Sequence, residues 1–167
     1  MNSLTSAVAA IIADPAGRVL LCRQSQGHRL WGLPGGKIQM DESPLHAAVR
    51  DIRAELGTDV KLVELIGMYQ LTGGAGLDDV LVHVFRAHAE GEITLNEPDR
   101  ISRICWFDVA QLPSPLTATT HVAIADATAG RAGMIRTVRR SVEPDLPDAV
   151  DDGISSDMAS SMVNAGG

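Results

Sequence analysis

WGLPGGKIQMDESPLHAAVRDIRAELGT, residues 31–58, is the stretch whose reading decides the fold. It runs as a glycine turn, a short acidic loop and a helix. Ser43 is a good N-cap because its hydroxyl accepts from an unpaired amide of the first turn. Pro44 suits the first helical position, and Gly57 suits a left-handed C-terminal cap. The spacing therefore predicts a helix over 44–56, with Leu45, Ala48, Val49, Ile52 and Leu56 forming one buried stripe. Asp51 and Glu55, four apart, fall together on one flank, with Arg50 and Arg53 on the other. A carboxylate pair at this spacing is ordinarily the solvated flank of an amphipathic helix. Here a glycine turn and an acidic loop precede it, and the assembly suits a hard cation held against a pyrophosphate. Such a cation takes oxygen ligands together with water and substrate phosphates.

These residues stand in the order of a known pattern. Gly36, Glu42, Arg50, Ile52, Glu55 and Gly57 occupy their positions with both gaps correct, and Trp31-Gly32-Leu33-Pro34-Gly35-Gly36 forms the lead-in. The segment resembles the Nudix box. Trp106-Phe107 followed by Gln111-Leu112-Pro113 is similar to the family's closing segment, so the likeness runs from about Leu4 to Arg140. It implies an α+β fold, a Nudix-type α/β/α sandwich with a mixed β-sheet between helices. It also implies Mg2+- or Mn2+-dependent hydrolysis of a nucleoside diphosphate linked to another group, a small-molecule nucleotide substrate. Carried over by position, Asp51 and Glu55 are metal ligands, joined by Gly36 through its backbone. Asp51, Glu55, Glu42 and Arg50 make up the catalytic set, Glu42 and Arg50 pairing to brace the helix.

The chain departs from the pattern at three positions. Asp51 keeps the charge of the usual Glu but is shorter by one methylene. Ala54 deletes a principal carboxylate, and Thr58 replaces an aliphatic residue. Counting back from Trp106, Arg100 and Arg103 stand where an acid is usual, with Glu97 and Asp99 as the nearest replacements. These losses raise a second expectation, a catalytically impaired nucleotide-binding or protein-interaction module on the same fold.

Other residues are candidates for substrate contact. Arg23, Arg29 and Lys37 read either as contacts to substrate phosphates or as solvated loop charges, and Tyr69 offers a ring to stack on a base. Trp31 reads as a packing residue. His83 and His88, five apart, have a poor metal-ligand spacing and read as structural. Gly73–Gly76 lacks the Lys-Ser/Thr of a P-loop and reads as a turn.

Composition narrows the classes. The net charge of −7 is uneven: residues 141–167 hold six acids and no Lys or Arg, leaving 15 acids against 14 bases in the rest. A near-neutral body argues against a nucleic-acid polymer as partner. The apolar run Ala7–Ala13 is too short to span a membrane, and no basic residue precedes it as in a signal peptide. Cys22 and Cys105 form no CxxC pair and read as buried apolar residues in a reducing, cytoplasmic setting. A homodimer is compatible with these properties.

Along the chain, 6–13 and 19–22 flank Asp14-Pro15-Ala16-Gly17 and are expected to form a hairpin. Strands are expected over 60–71, 79–87, 91–95 and 101–107. A helix is expected over 120–129, and a last strand or short helix over 134–140. One Nudix-like hydrolase domain, 1–140, is expected, followed by an acidic disordered tail, 141–167.

Overall fold

Strand Leu4–Ile12 (β1) is apolar from Ala7 onward, and each parity of its side chains there has its own helix to bury against. Residues 4–140 are described by a computed structural model, in which Ala9 and Ile11 join one core and Ala10 and Ile12 another. Strand Val19–Gln24 (β2) divides in the same way, Val19 and Leu21 to the first core, Leu20 and Cys22 to the second. Burial on both faces is what a near-continuous apolar run predicts for a central strand.

The remaining elements are Trp31–Gly32 (β3), Gly35–Lys37 (β4), helix Pro44–Leu56 (α1), Val60–Thr72 (β5), Asp79–Ala89 (β6), Ile101–Phe107 (β7), helix Ala118–Thr128 (α2) and Met134–Arg139 (β8). Five strands form a mixed sheet in the order β4-β1-β6-β5-β8, parallel at β1–β6 and β5–β8. A second, antiparallel sheet has the order β3-β2-β7. Helix α1 closes one core through Ile52 and Leu56. Helix α2 closes the other through Ala123 and Ile124. This is the expected α+β sandwich.

Helix α1 has the predicted bounds. Ser43 Oγ accepts from the His46 amide at 3.1 Å, and Gly57, at φ 66°, donates to the Arg53 carbonyl. Its buried face differs from the expected stripe. Ala47, Ala48, Asp51, Ile52, Glu55 and Leu56 are buried, Val49 is partly buried, and Leu45 is 57% exposed. The face is rotated towards the two carboxylates, which leaves Leu45 outside it.

Two strand expectations change. The Asp14 turn forms, its Oδ1 accepting from the Ala16 and Arg18 amides, but β1 and β2 are not a hairpin. After one bridge, Ala13 to Val19, they part. Both edges of β1 are taken by β4 and β6, so β2 enters the other sheet. Residues 91–95 form no strand. Instead the Thr94 and Asn96 amides donate to the Leu56 and Glu55 carbonyls, which the end of α1 leaves without helical partners. Of the two forms expected over 134–140, the chain takes the strand, Met134–Arg139. Among the described residues no helix is long and apolar enough to cross a membrane. The expected tail, 141–167, lies outside the described residues.

Candidate active site

The glycine turn delivers two carboxylates into a cleft rather than onto the surface. Gly35 and Gly36 lie in β4, which pairs with β1, and α1 packs across them. Gly36 comes so close to α1 that a Cβ there would stand 2.7 Å from Asp51 Oδ2. The cleft, about 780 Å³, is lined by Gly36, Lys37, Arg50, Asp51, Glu55 and Arg100 at its polar end. Leu71, Val80, Val82 and the threonines at the start of α2 line it further along. A second cavity, about 610 Å³, lies between α2 and β8, and no carboxylate among the described residues lines it.

The brace expected from the sequence is present. Arg50 holds Glu42 through two bonds, Nε to Oε2 at 2.6 Å and Nη2 to Oε1 at 2.8 Å. The Gln39 amide donates to the same carboxylate, and Arg50 Nη2 also reaches the Lys37 carbonyl at 3.2 Å. One guanidinium thus ties the acidic loop and β4 to the middle of α1. These bonds hold the Glu42 carboxyl down at about 2. Arg50 also donates to Asp51 Oδ1 at 3.0 Å, so it serves the acidic side of the helix rather than the opposite flank.

Asp51 and Glu55 are only 5% and 2% exposed. Glu55 Oε1 accepts from the Gly35 amide at 3.3 Å, while Asp51 Oδ2 is buried with no hydrogen-bond partner among the described residues. Burial is the main cause that pushes both carboxyls upward, Glu55 to about 8, against the opposing pull of nearby arginines. A buried carboxylate oxygen without a donor is costly unless a cation meets it. The donor set is all oxygen and carries the charge a hard divalent ion prefers, so Asp51, Glu55 and the adjacent Gly36 backbone fit Mg2+ or Mn2+. Among the described residues no cluster of three or more His, Cys, Asp or Glu side chains gathers here. Ala54 is exposed and does not line the cleft. With two carboxylates, a bound ion would have to complete its coordination from backbone, water and substrate phosphates.

The other predicted contacts divide. Lys37 lines the cleft. Tyr69 does not: it is fully buried against α2, and its hydroxyl donates to Asp126 Oδ2 at 2.9 Å. That carboxylate is held by Arg136 as well, at 2.7 and 2.8 Å, so Tyr69 is a core residue braced by an ion pair rather than a stacking platform. Arg23 is also outside the cleft. On β2 the side chains of Cys22 and Gln24 line it, so Arg23 takes the opposite face, above the Trp31 ring. Arg29, at φ 54°, sits in the loop before Trp31 and is not among the lining residues. Trp31 packs edge-to-face on Phe107, as a core residue. His83 bonds the Ala7 carbonyl, a structural role as expected.

Of the two arginines standing where acids are usual, Arg103 lies over Trp31 and Arg100 lines the cleft beside Asp99. Cys22, Thr119 and Thr120 also line it, none of them expected at the site from the sequence. The parity of β2 would have placed Cys22. The threonines had no local signal, because they reach the cleft only through the packing of α2.

A family model of the NUDIX domain matches residues 3–127. A MutT-like protein of Streptomyces ambofaciens is 28% identical over 131 residues, which span 77% of this chain and 80% of that protein. An oxidized purine nucleoside triphosphate hydrolase of Danio rerio is 37% identical over 62% of this chain and 65% of its own length. The crystal structure of a MutT NUDIX hydrolase from Burkholderia pseudomallei superimposes with a TM-score of 0.71 at 31% identity. It covers 75% of this chain and 98% of that one.

Proposed function

This chain belongs to the NUDIX domain family, and from that premise we propose that it is a hydrolase of pyrophosphate bonds in small nucleotide substrates, using Mg2+ or Mn2+. The observation that carries the proposal is the buried pair Asp51 and Glu55, one of whose oxygens has no donor, facing a cleft with Lys37 at its mouth. Asp51, Glu55 and the Gly36 backbone would hold the ion. When bound, a divalent ion neutralises phosphate oxygens and acidifies water.

The chain's own residues do the rest. Arg50 fixes the loop and helix through Glu42, so the two carboxylates keep their spacing. Either carboxylate orients the attacking water and takes its proton. Lys37 meets phosphate charge. The apolar wall of Leu71, Val80 and Val82 excludes bulk water and receives the nucleoside part. Names of relatives, such as the Danio rerio hydrolase, support a nucleoside triphosphate as one substrate class.

Purified protein would be screened with Mg2+ or Mn2+ against nucleoside triphosphates, oxidised purine nucleotides, nucleotide sugars and dinucleoside polyphosphates. Turnover above a Glu55→Gln control supports the proposal, and no turnover on any of them rejects it. One observation favours a second reading: Ala54 leaves the helix short of a carboxylate. In that case the fold binds nucleotide or a protein without hydrolysis. Calorimetric binding with no product formed, and no hydrolysis gained by Ala54→Glu, would establish it.

A further inference from the structure

We propose that Arg100 is a phosphate-anchoring residue, clamping the substrate's pyrophosphate from the wall of the cleft that faces the second sheet. Lys37 reaches the cleft from β4, an edge strand of the five-stranded sheet, whereas Arg100 immediately precedes β7 of the three-stranded one. The two cations therefore enter one cleft from separate sheets.

The segment carrying Arg100 is fixed. Its amide donates to the Glu97 carbonyl at 3.1 Å, and its carbonyl accepts from Ser25 at the end of β2 at 2.9 Å. Ser25 Oγ donates to the Pro98 carbonyl. Upstream, Thr94 and Asn96 are bonded to the last carbonyls of α1, the helix that carries Asp51 and Glu55. The loop is thus held at both ends to the elements that build the site.

The guanidinium has donors to spare. Its ion pair among the described residues is with Glu97, through Nη1 at 3.2 Å, and the side chain is more than half exposed. A guanidinium carries five N–H donors in a planar fork that matches phosphate oxygens. Arg100 lines the same cleft as Asp51 and Glu55, which places it beside the pair proposed to hold the metal. No ion pair or hydrogen bond joins Arg100 to either carboxylate among the described residues, so it is not spent as their counter-ion. A cation that lines the cleft of two carboxylates, yet is bonded to neither, is placed for an anion that arrives with the substrate.

The inference rests on the hydrolase reading only for its kinetic arm. Calorimetry would measure binding of inorganic pyrophosphate to the full chain, with and without Mg2+, for the parent protein and for Arg100→Ala, Arg100→Lys and Arg100→Glu. Loss of one charge-assisted clamp is expected to weaken pyrophosphate binding roughly 10- to 100-fold in Arg100→Ala. Arg100→Lys should lose less, and Arg100→Glu at least as much. Where turnover is found, KM should rise in Arg100→Ala far more than kcat falls. Arg18→Ala, which removes an equal charge from an exposed turn, should change neither quantity. Unchanged pyrophosphate affinity in Arg100→Ala overturns the proposal. So does increased turnover in Arg100→Glu, which would mark the position as a lost metal ligand. Arg100-dependent binding without turnover would reject hydrolysis and leave the anchor standing.

Discussion

Gly36 and Asp51 are in such close approach that any side chain at position 36 must displace the carboxylate: a Cβ would stand 2.7 Å from Oδ2 and 3.0 Å from Cγ. Gly36 is not in the left-handed region, so the constraint is space rather than backbone strain. Gly36→Ala is therefore expected to fold and to lose the site. Displacing a ligand by a fraction of an ångström to an ångström lowers turnover about 100-fold. Gly35→Ala should behave differently, because its Cβ would meet the Val8 carbonyl of β1 at 2.0 Å. Backbone cannot yield as a side chain does, and that variant should fail to fold. Circular dichroism and turnover together separate the two outcomes.

Metal should stabilise the protein, through Glu55. Burial raises the Glu55 carboxyl from 4.5 to about 8. A carboxyl raised on folding favours the folded state fully below its unfolded pKa, and that contribution is lost as pH rises through the folded value. The metal-free protein should therefore lose stability between about pH 4.5 and 8, and Glu55→Gln should flatten this slope. Adding Mg2+ at pH 8 at about a hundred times its Kd should restore roughly 2.7 kcal/mol. Thermal melts across pH, with Mg2+ or with a chelator, measure both effects, and Glu55→Gln should not respond to the metal.

Restoring a carboxylate at the exposed position 54 should improve the site. Ala54 lies one turn beyond Arg50 and Asp51 on α1, with no packing to disturb. Ala54→Glu is expected to tighten Mg2+ binding about tenfold and to raise turnover, with little change in Tm. Titration of Mg2+ against turnover checks this.

Asp126 anchors Tyr69 and Arg136 and governs acid stability. Its bonds to Arg136 are the main cause holding its carboxyl at about 2, below the usual 3.8. The stability this supplies is present above the unfolded pKa and is lost as pH falls from about 4 through 2. Removing the buried partner in Asp126→Ala should cost about 3–5 kcal/mol. Tyr69→Phe should cost only about 1 kcal/mol. Because Tyr69 lies outside the cleft, its KM for any nucleotide should not move. Denaturant melts from pH 2 to 7 and steady-state kinetics test these effects.

The chain should be divisible after Arg140. Arg140 is buried, its amide donates to the Thr72 carbonyl, and its guanidinium bonds the Gly73 and Asp78 carbonyls. Truncation after Arg140 should leave Tm and turnover unchanged, because residues 141–167 carry six acids without a counter-charge and few apolar residues. Truncation before Arg140 should lower Tm by several degrees. Melts of the two truncations decide where the domain ends.

The sequence by itself determined what local chemistry controls. Ser43, Pro44 and Gly57 are caps whose effect lies within a turn of the chain, so the bounds of α1 could be read directly. The strands expected at 19–22, 60–71 and 101–107 could be read from apolar content, and the structure extends the first two to Gln24 and Thr72; the Glu42–Arg50 pair was implied by a motif of fixed spacing. Tertiary structure decided whatever depends on partners distant in sequence. Helical periodicity could not say whether Asp51 and Glu55 face solvent or protein. They are buried because β4 lies across them, bringing Gly36 against Asp51. The turn after β1 was legible, but the partners of β1 and β2 were not, because competition between strand edges is settled only in the whole sheet. Tyr69 and Arg100 show the same limit. A tyrosine offers the same ring to a base or to a core, and the distant Asp126 assigned it to the core. An arginine in a loop carries the same charge in solvent or in a cleft, and bonds from Ser25 and the end of α1 placed this one beside the carboxylates.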